Sequence, residues 1–360
     1  MSEKIFVTKS YLPPKEEYTA YLTGIWERSH LTNQGPLVLE LEQKLRDYLD
    51  VEHLHFASNG TIVLQMALKA LKITGEVITT PFSYCATSHV IAWENATPIF
   101  ADIREEDLCI DPDCIEALIT PKTQAILATH VYGIPCQLER IEALAKKHNL
   151  YVIYDAAHTF GVKVDGKSLL SFGDVSTCSF HATKVFHTVE GGMITTPHQE
   201  LSEQLKLYRS FGHIGDEYFD IGINAKNSEF HAAMGLCNLP HVQEIIAGRH
   251  RVTESYDHQL NWSKLRKPVI PKNVEWNHAY YPIFFKTEAD LLRTRQALEA
   301  QQIFTRRYFY PSLNTLTFLH AQQSCPVSEA MALRALCLPL YPDLSDTDVQ
   351  RIISIVNENL

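Results

Sequence analysis

Lys184 stands alone among apolar neighbours in Ser179-Phe180-His181-Ala182-Thr183-Lys184-Val185-Phe186, shortly before Glu190-Gly191-Gly192. A partly desolvated lysine loses its charge readily, and its neutral amine condenses with a carbonyl or serves as a general base. A loop lysine is also an ordinary solvated charge, so the residue alone decides nothing. Upstream, Tyr151-Val152-Ile153-Tyr154-Asp155 is an apolar run that delivers a carboxylate at its carboxyl end, followed by Ala156-Ala157-His158. A buried aspartate needs a partner. A cofactor cation is one candidate, and the cap of the next turn is another. Earlier still, Ala57-Ser58-Asn59-Gly60-Thr61 opens an amphipathic stretch. The first N–H groups of such a helix lack partners, glycine admits an anion to the backbone, and the dipole favours negative charge. Ser and Asn there equally serve as plain N-caps. The order of the three is more informative than any one of them. Pyridoxal phosphate needs a helix N-terminus for its phosphate, a carboxylate for its ring nitrogen and a lysine for its aldehyde.

These residues must be held by regular elements. Short β-branched runs at Leu54–Ala57, Val77–Thr80, Thr97–Asp102, Ala125–His130, Tyr151–Tyr154, Val175–His181 and Gly192–Thr196 predict strands. Between them, apolar spacings of three and four predict helices at Ile62–Leu71, Ala86–Glu94, Pro112–Ala117 and Leu138–His148. The alternation predicts an α/β fold, a mostly parallel sheet covered on both faces as a three-layer α/β/α domain. Ligands of such sheets sit at the carboxyl ends of the strands, where Asp155 and Lys184 fall. Residues 198–255 read as helical. Residues 268–355 read as α+β, with strands at Ala279–Phe285 and Ile303–Tyr308 and helices at Glu288–Gln301 and Asp346–Asn357. The expected division is a large domain over 1–245, including an N-terminal arm, and a small C-terminal domain over 246–360.

Composition narrows the function classes. The 360 residues carry 32 Lys+Arg against 42 Asp+Glu, a formal net charge of −10. That balance argues against a nucleic-acid partner held by counterion release. Hydrophobic residues at 45% and charged residues at 21% fit a packed globular protein of about two domains. Neither a leader-like opening nor a run of about 18 apolar residues is visible, so no membrane association and a cytoplasmic location are expected. The eight cysteines form no C-x-x-C pair, which fits reduced thiols, and no metal site is expected among the seventeen scattered histidines. His53 and His55 alternate on a strand and read as structural.

Seven ordered segments go further. They are Leu31-Thr32-Asn33-Gln34-Gly35-Pro36, Asn59-Gly60-Thr61, Thr80-Pro81-Phe82-Ser83-Tyr84-Cys85-Ala86-Thr87, Tyr154-Asp155-Ala156-Ala157-His158, the Ser179–Lys184 string with Glu190-Gly191-Gly192, Gly222-Ile223-Asn224-Ala225-Lys226-Asn227-Ser228-Glu229, and Leu338-Pro339-Leu340-Tyr341-Pro342. From about residue 30 to its end the chain resembles the DegT/DnrJ/EryC1/StrS group of sugar aminotransferases, which have fold type I of the pyridoxal-phosphate enzymes. The resemblance implies that Lys184 bonds the cofactor aldehyde, Asp155 pairs the ring nitrogen and Tyr84 stacks on the ring. It further implies that His158 hydrogen-bonds the phenolic oxygen and that Gly60, Thr61 and Ser179 hold the phosphate. Tyr84 as a core aromatic and His158 as a cap remain the alternatives. An Asn at the place of Asn224 reaches the phosphate from the other subunit in this group, which implies a homodimer with shared sites. Many members carry Arg where this chain has Lys226, a difference that bears on substrate or interface contacts. The run Thr305-Arg306-Arg307-Tyr308-Phe309-Tyr310-Pro311 falls where the group faces the sugar nucleotide. Arg306 and Arg307, with Tyr310, are the substrate candidates, since two arginines can meet a diphosphate bidentately or face solvent.

The activity implied is transfer of an amino group from L-glutamate to a nucleotide-linked, dTDP-type, 4-keto-6-deoxyhexose. The product class suggests deoxyamino-sugar biosynthesis for lipopolysaccharide O-antigen. The runner-up is amination at C3 of a 3-keto isomer, and a non-catalytic sensor on the same fold is the remote rival. Dehydratases of the group replace the lysine with histidine, so Lys184 disfavours that reading.

Overall fold

The computed structural model describes residues 4–321 and 323–360, so Met1–Glu3 of the opening stretch lie outside the description. The seven apolar runs form one sheet, in the spatial order His53–Ala57, Gly192–Thr196, Val175–Ser179, Tyr151–Asp155, Thr123–Thr129, Glu76–Thr79, Thr97–Phe100. All neighbours are parallel except Gly192–Thr196, which is antiparallel to both strands beside it. The reason is local. Residues 180–191 contain no helix to carry a parallel crossover, so the chain folds back beside Val175–Ser179. Successive side chains leave opposite faces of a strand. Accordingly Val77, Leu127 and Ile153 join one core with helix Gly60–Ala70, while Ile78, Ile126 and Tyr154 join another with helix Leu138–His148. Each such fully buried aliphatic contributes about 1.5–3 kcal/mol, and apolar cover on both faces explains why the strands read as continuous apolar runs.

Two N-terminal helices, Lys15–Arg28 and Pro36–Leu49, precede the sheet. The second has Gly35 at its cap position and no side-chain cap of its own. Glu229, fully buried, does that work: its carboxylate accepts from Leu37 N and Val38 N, both at 3.0 Å. A Cβ on Gly35 would lie 2.6 Å from the Glu229 carboxyl carbon. Gly35-Pro36 and Glu229, far apart in sequence, are therefore two halves of one cap.

In the C-terminal part, Tyr281–Phe284 pairs antiparallel with Ala335–Leu338, a strand that the sequence reading did not assign. Helices Glu288–Ala300 and Asp346–Glu358 cover this ribbon. The expected strand Ile303–Tyr308 shortens to Ile303–Phe304, paired with Ile5–Phe6 from the start of the chain. Beyond it only Arg306 makes a bridge, to Cys337, before the backbone runs on to the cavity described below. Helix Val242–Gln259 crosses residue 245 unbroken. Its Ile245 lies in a sheet-side core, and Val252 and Tyr256 lie in the C-terminal core. All eight cysteines are free thiols, six of them buried. Among the described residues no helix is long and apolar enough to cross a membrane, and no group of three or more His, Cys, Asp or Glu is placed to hold a metal ion.

Candidate active site

A cavity of about 340 Å³ opens at the carboxyl ends of Thr123–Thr129, Tyr151–Asp155 and Val175–Ser179, and its lining includes Gly60, Thr61, Tyr84, Asp155, Ser179 and Lys184. The three sequence features that stand far apart in the chain thus meet in one place. Asp155 is the last residue of its strand and is buried. Its Oδ2 accepts from Thr87 Oγ1 at 2.6 Å and its Oδ1 from Ala157 N at 3.2 Å. Burial pushes the carboxyl pKa up, against these two hydrogen bonds and the nearby Lys184 charge. A carboxylate offers about four acceptor positions. Two are filled from within the chain, so capacity remains for a cationic N–H in the cavity.

Lys184 is fixed by its neighbours. Val185 and Phe186 are buried, and Phe186 stacks on Phe160 at 4.3 Å between ring centres and meets Phe180 edge-on at 4.8 Å. The loop is closed by Phe180 N to Gly191 O at 2.8 Å and Thr188 N to Phe180 O at 3.0 Å. With both flanks anchored, the amine reaches the cavity and donates to the Tyr280 hydroxyl at 3.2 Å. His158 is buried beside it, edge-on to Tyr280 at 4.9 Å and parallel to Phe309 at 5.8 Å. Burial, with Lys184 adding to it, drives the imidazole pKa well below its usual range, so the ring is neutral. Its Nδ1 is buried and has no hydrogen-bond partner among the described residues.

At the helix entrance Asn59 is the N-cap, its Oδ1 accepting from Ile62 N at 2.8 Å. That bond uses the third helical amide and leaves those of Gly60 and Thr61 at the cavity wall. The wall is drawn tight by glycines. A Cβ on Gly60 would sit 2.8 Å from Ser179 Cβ, and one on Gly192 would sit 2.5 Å from the Asn59 carbonyl oxygen. Segment 222–229 braces the same turn, through Ser58 N to Ala225 O at 2.8 Å and Asn227 Nδ2 to Ala57 O at 3.2 Å and Glu190 O at 3.0 Å.

Tyr84 is 55% exposed at the mouth, so it is not a core aromatic. Asn224 is exposed, accepts from Lys226 Nζ at 2.8 Å and is not among the residues lining this chain's own cavity. The expected pair of arginines is separated by the fold. Arg306 lines the cavity, 5.0 Å from the Tyr308 ring centre. Arg307 turns away to Glu288 Oε1 at 2.8 Å and lies 3.6 Å from the ring centre of Tyr310, which is itself outside the lining. Of the two, Arg306 is the one at the cavity wall. His55 bonds Ser202 Oγ at 2.9 Å, and burial lowers its pKa to about 3, in keeping with a structural histidine. Three participants escaped the sequence reading: Thr87 as the Asp155 donor, Tyr280 as the Lys184 partner, and Phe309 behind His158. A threonine in a helix's first turn or a tyrosine just before a strand carries no spacing signal. Thr87 and Phe309 lay within segments already singled out, but for other residues.

The residues present fit pyridoxal phosphate. Free helix amides with the Thr61 and Ser179 hydroxyls suit a phosphate dianion. Asp155 keeps acceptor capacity for a ring N–H, and the orphaned Nδ1 of His158 and the Lys184 amine face one cavity. The comparisons agree with the geometry. Residues 14–357 match the DegT/DnrJ/EryC1/StrS aminotransferase family. The chain is 42% identical to a dTDP-4-amino-4,6-dideoxy-D-glucose transaminase of Shigella dysenteriae, over 99% of this chain and 100% of the relative. It is 38% identical to the transaminase of that name from Escherichia coli, over 99% of each. Among solved structures, DesI in the presence of its TDP-sugar product superposes with a TM-score of 0.94 at 31% identity, covering 99% of this chain and 93% of DesI. A lysine, a buried aspartate and an open helix end at one cavity, within a match that spans nearly the whole chain, make this protein a pyridoxal-phosphate-dependent member of the DegT/DnrJ/EryC1/StrS aminotransferase family.

Proposed function

We propose that the protein moves an amino group from L-glutamate to a dTDP-linked 4-keto-6-deoxyhexose, giving a 4-amino-4,6-dideoxy sugar. The observation that carries this reading is the joining of Lys184, Asp155 and the Gly60-Thr61 helix end in one cavity of a chain 42% identical, end to end, to a transaminase named for that product. Pyridoxal phosphate supplies the electron sink when bound. Asp155 holds a proton at the ring nitrogen, and neutral His158 hydrogen-bonds the phenolic oxygen. Gly60, Thr61 and Ser179 would hold the phosphate, and Tyr84, exposed at the mouth, would pack on the ring. The Lys184 amine would take a proton from the substrate carbon as base and return it as acid when the cofactor is bound. Arg306, on the cavity wall, is the residue placed to meet the substrate diphosphate.

The same reading makes the enzyme a cytoplasmic homodimer serving deoxyamino-sugar synthesis, with O-antigen as the polysaccharide destination. Support for the dimer comes from the segment around Asn224, where Phe211, Ile214, Tyr218, Phe219 and Ile221 expose large apolar side chains. Asn224 would then complete the partner's phosphate site. The test is to incubate the purified enzyme with L-glutamate and separate dTDP-4-keto- and dTDP-3-keto-6-deoxyhexoses, then identify products by NMR. A new amine at C4 and 2-oxoglutarate are expected. Amination of the 3-keto sugar alone would move the reading to C3, and no amine from either would remove it.

A further inference from the structure

Asp155 is backed by a line of buried hydroxyls, of which Thr87 stands outside the cavity lining while Ser83 and Thr129 border it. Thr87 Oγ1 donates to Asp155 Oδ2 at 2.6 Å, Ser83 Oγ lies 2.7 Å from Thr87 Oγ1, and Thr129 Oγ1 lies 3.0 Å from Ser83 Oγ. All three residues are almost wholly buried. Three separate elements supply them: Thr87 from the first turn of helix Ala86–Trp93, Ser83 from the loop before it, and Thr129 from the neighbouring strand, directly opposite Asp155 in register. Each hydroxyl has one proton to give. With Asp155 ionised, Thr87 spends its proton on the carboxylate, Ser83 must then donate to Thr87, and Thr129 to Ser83. The direction of every bond is set by the carboxylate, and each donation strengthens the next.

We infer that the chain Thr129–Ser83–Thr87 is a positioning device for Asp155, holding its carboxylate ionised and turned so that its remaining acceptor capacity faces the cofactor ring nitrogen. The inference rests on the cofactor reading of the site and extends it to Thr87, which is not among the cavity-lining residues, and to the two hydroxyls bonded behind it. The need for such a device is plain from the surroundings. Burial favours the neutral acid, whereas a pyridinium partner needs the anion. A charge-assisted donor at 2.6 Å opposes that tendency and removes one rotational freedom of the carboxyl group. The same turn carries Tyr84, whose carbonyl accepts from Thr87 N at 3.1 Å, so the aspartate and the ring-stacking tyrosine share one anchor.

The test measures pyridoxal-phosphate affinity by absorbance titration of cofactor-stripped enzyme. Thr87→Val keeps the shape and removes the donor, and it should weaken binding about tenfold, the equivalent of one charged hydrogen bond. Thr87→Ser restores the hydroxyl and should return affinity to within about twofold of wild type, well inside one such bond. In an Asp155→Ala background, Thr87→Val should change affinity by less than about twofold, because the group it positions is gone. Unaltered affinity in Thr87→Val, a Thr87→Ser variant as weak as Thr87→Val, or an undiminished effect in the Asp155→Ala background would each overturn the inference. If Asp155→Ala itself binds the cofactor as tightly as wild type, the role of Asp155 falls first and the positioning role with it. Should Thr87→Val not fold, Ser83→Ala breaks the chain one bond further out, and a loss of about threefold is expected, with none contradicting it.

Discussion

Asp155 answers two opposing demands, and the opposition can be measured. Its carboxyl pKa is raised in the folded chain, chiefly by burial. A carboxyl raised above its unfolded value costs stability as pH climbs from the unfolded value through the folded one, and the cost is fully present above both. Cofactor-free Asp155→Asn should therefore melt at a higher temperature than cofactor-free wild type at neutral pH, with the gap closing as pH falls toward the ordinary carboxylate range. Paired melting curves with and without cofactor check this, and a lower melting temperature of the stripped variant would contradict it. Activity moves the other way: an amide cannot hold the ring-nitrogen charge, so turnover should drop by about 100-fold or more. Steady-state rates at saturating glutamate and ketosugar measure that loss. Asp155 was legible in the sequence because a polar residue that ends an apolar run is conspicuous, and Lys184 because it stands alone among apolar neighbours ahead of Glu190-Gly191-Gly192. Thr87 and Tyr280 were not, since a threonine opening a helix and a tyrosine entering a strand look like any others until the fold closes around them.

The Glu190-Gly191-Gly192 turn shows how close backbone approach shapes the Gly60 end of the cavity. Gly192 pairs in register with Ala57 and with Ser179, so it joins the Asn59-Gly60 turn to the strand that precedes Lys184. A Cβ there would meet the Asn59 carbonyl oxygen at 2.5 Å and Gly60 N at 2.9 Å, both backbone atoms that cannot swing aside. Gly192→Ala should destabilise the fold by about 1–3 kcal/mol, as overpacking does, and should weaken phosphate binding at the displaced turn. Urea unfolding and inorganic phosphate competition against cofactor measure the two effects. Element prediction succeeded where period and burial agree, as in Tyr151–Asp155 between two covered faces. It failed where tertiary pairing decides. Ala335–Leu338 is a short apolar run that becomes a strand only because Tyr281–Phe284 lies beside it, and Ile303–Phe304 stops early because its partner, Ile5–Phe6, is two residues long.

The separate parts of the chain share their supports, so the site depends on the whole molecule. Tyr280, Phe309 and Met331 from the C-terminal part lie in one core with Ile78, Ile126 and Tyr154 of the sheet. The exposed apolar side chains of the segment around Asn224 motivate the shared-site dimer proposed above. Mixing Lys184→Ala chains with Asn224→Asp chains under subunit exchange tests it. If sites are shared, one hybrid site regains both a lysine and a neutral asparagine, and activity should rise above that of either parent. No recovery in verified heterodimers would show that each chain completes its own site.

The central claim is that Lys184, carried past the end of the Val175–Ser179 strand, bonds the cofactor. Borohydride reduction of the loaded enzyme, followed by proteolysis and mass spectrometry, addresses it most directly. The account predicts a pyridoxyl group on the peptide containing Lys184 and none in Lys184→Ala. An adduct on a different lysine, or undiminished labelling of Lys184→Ala, would contradict it.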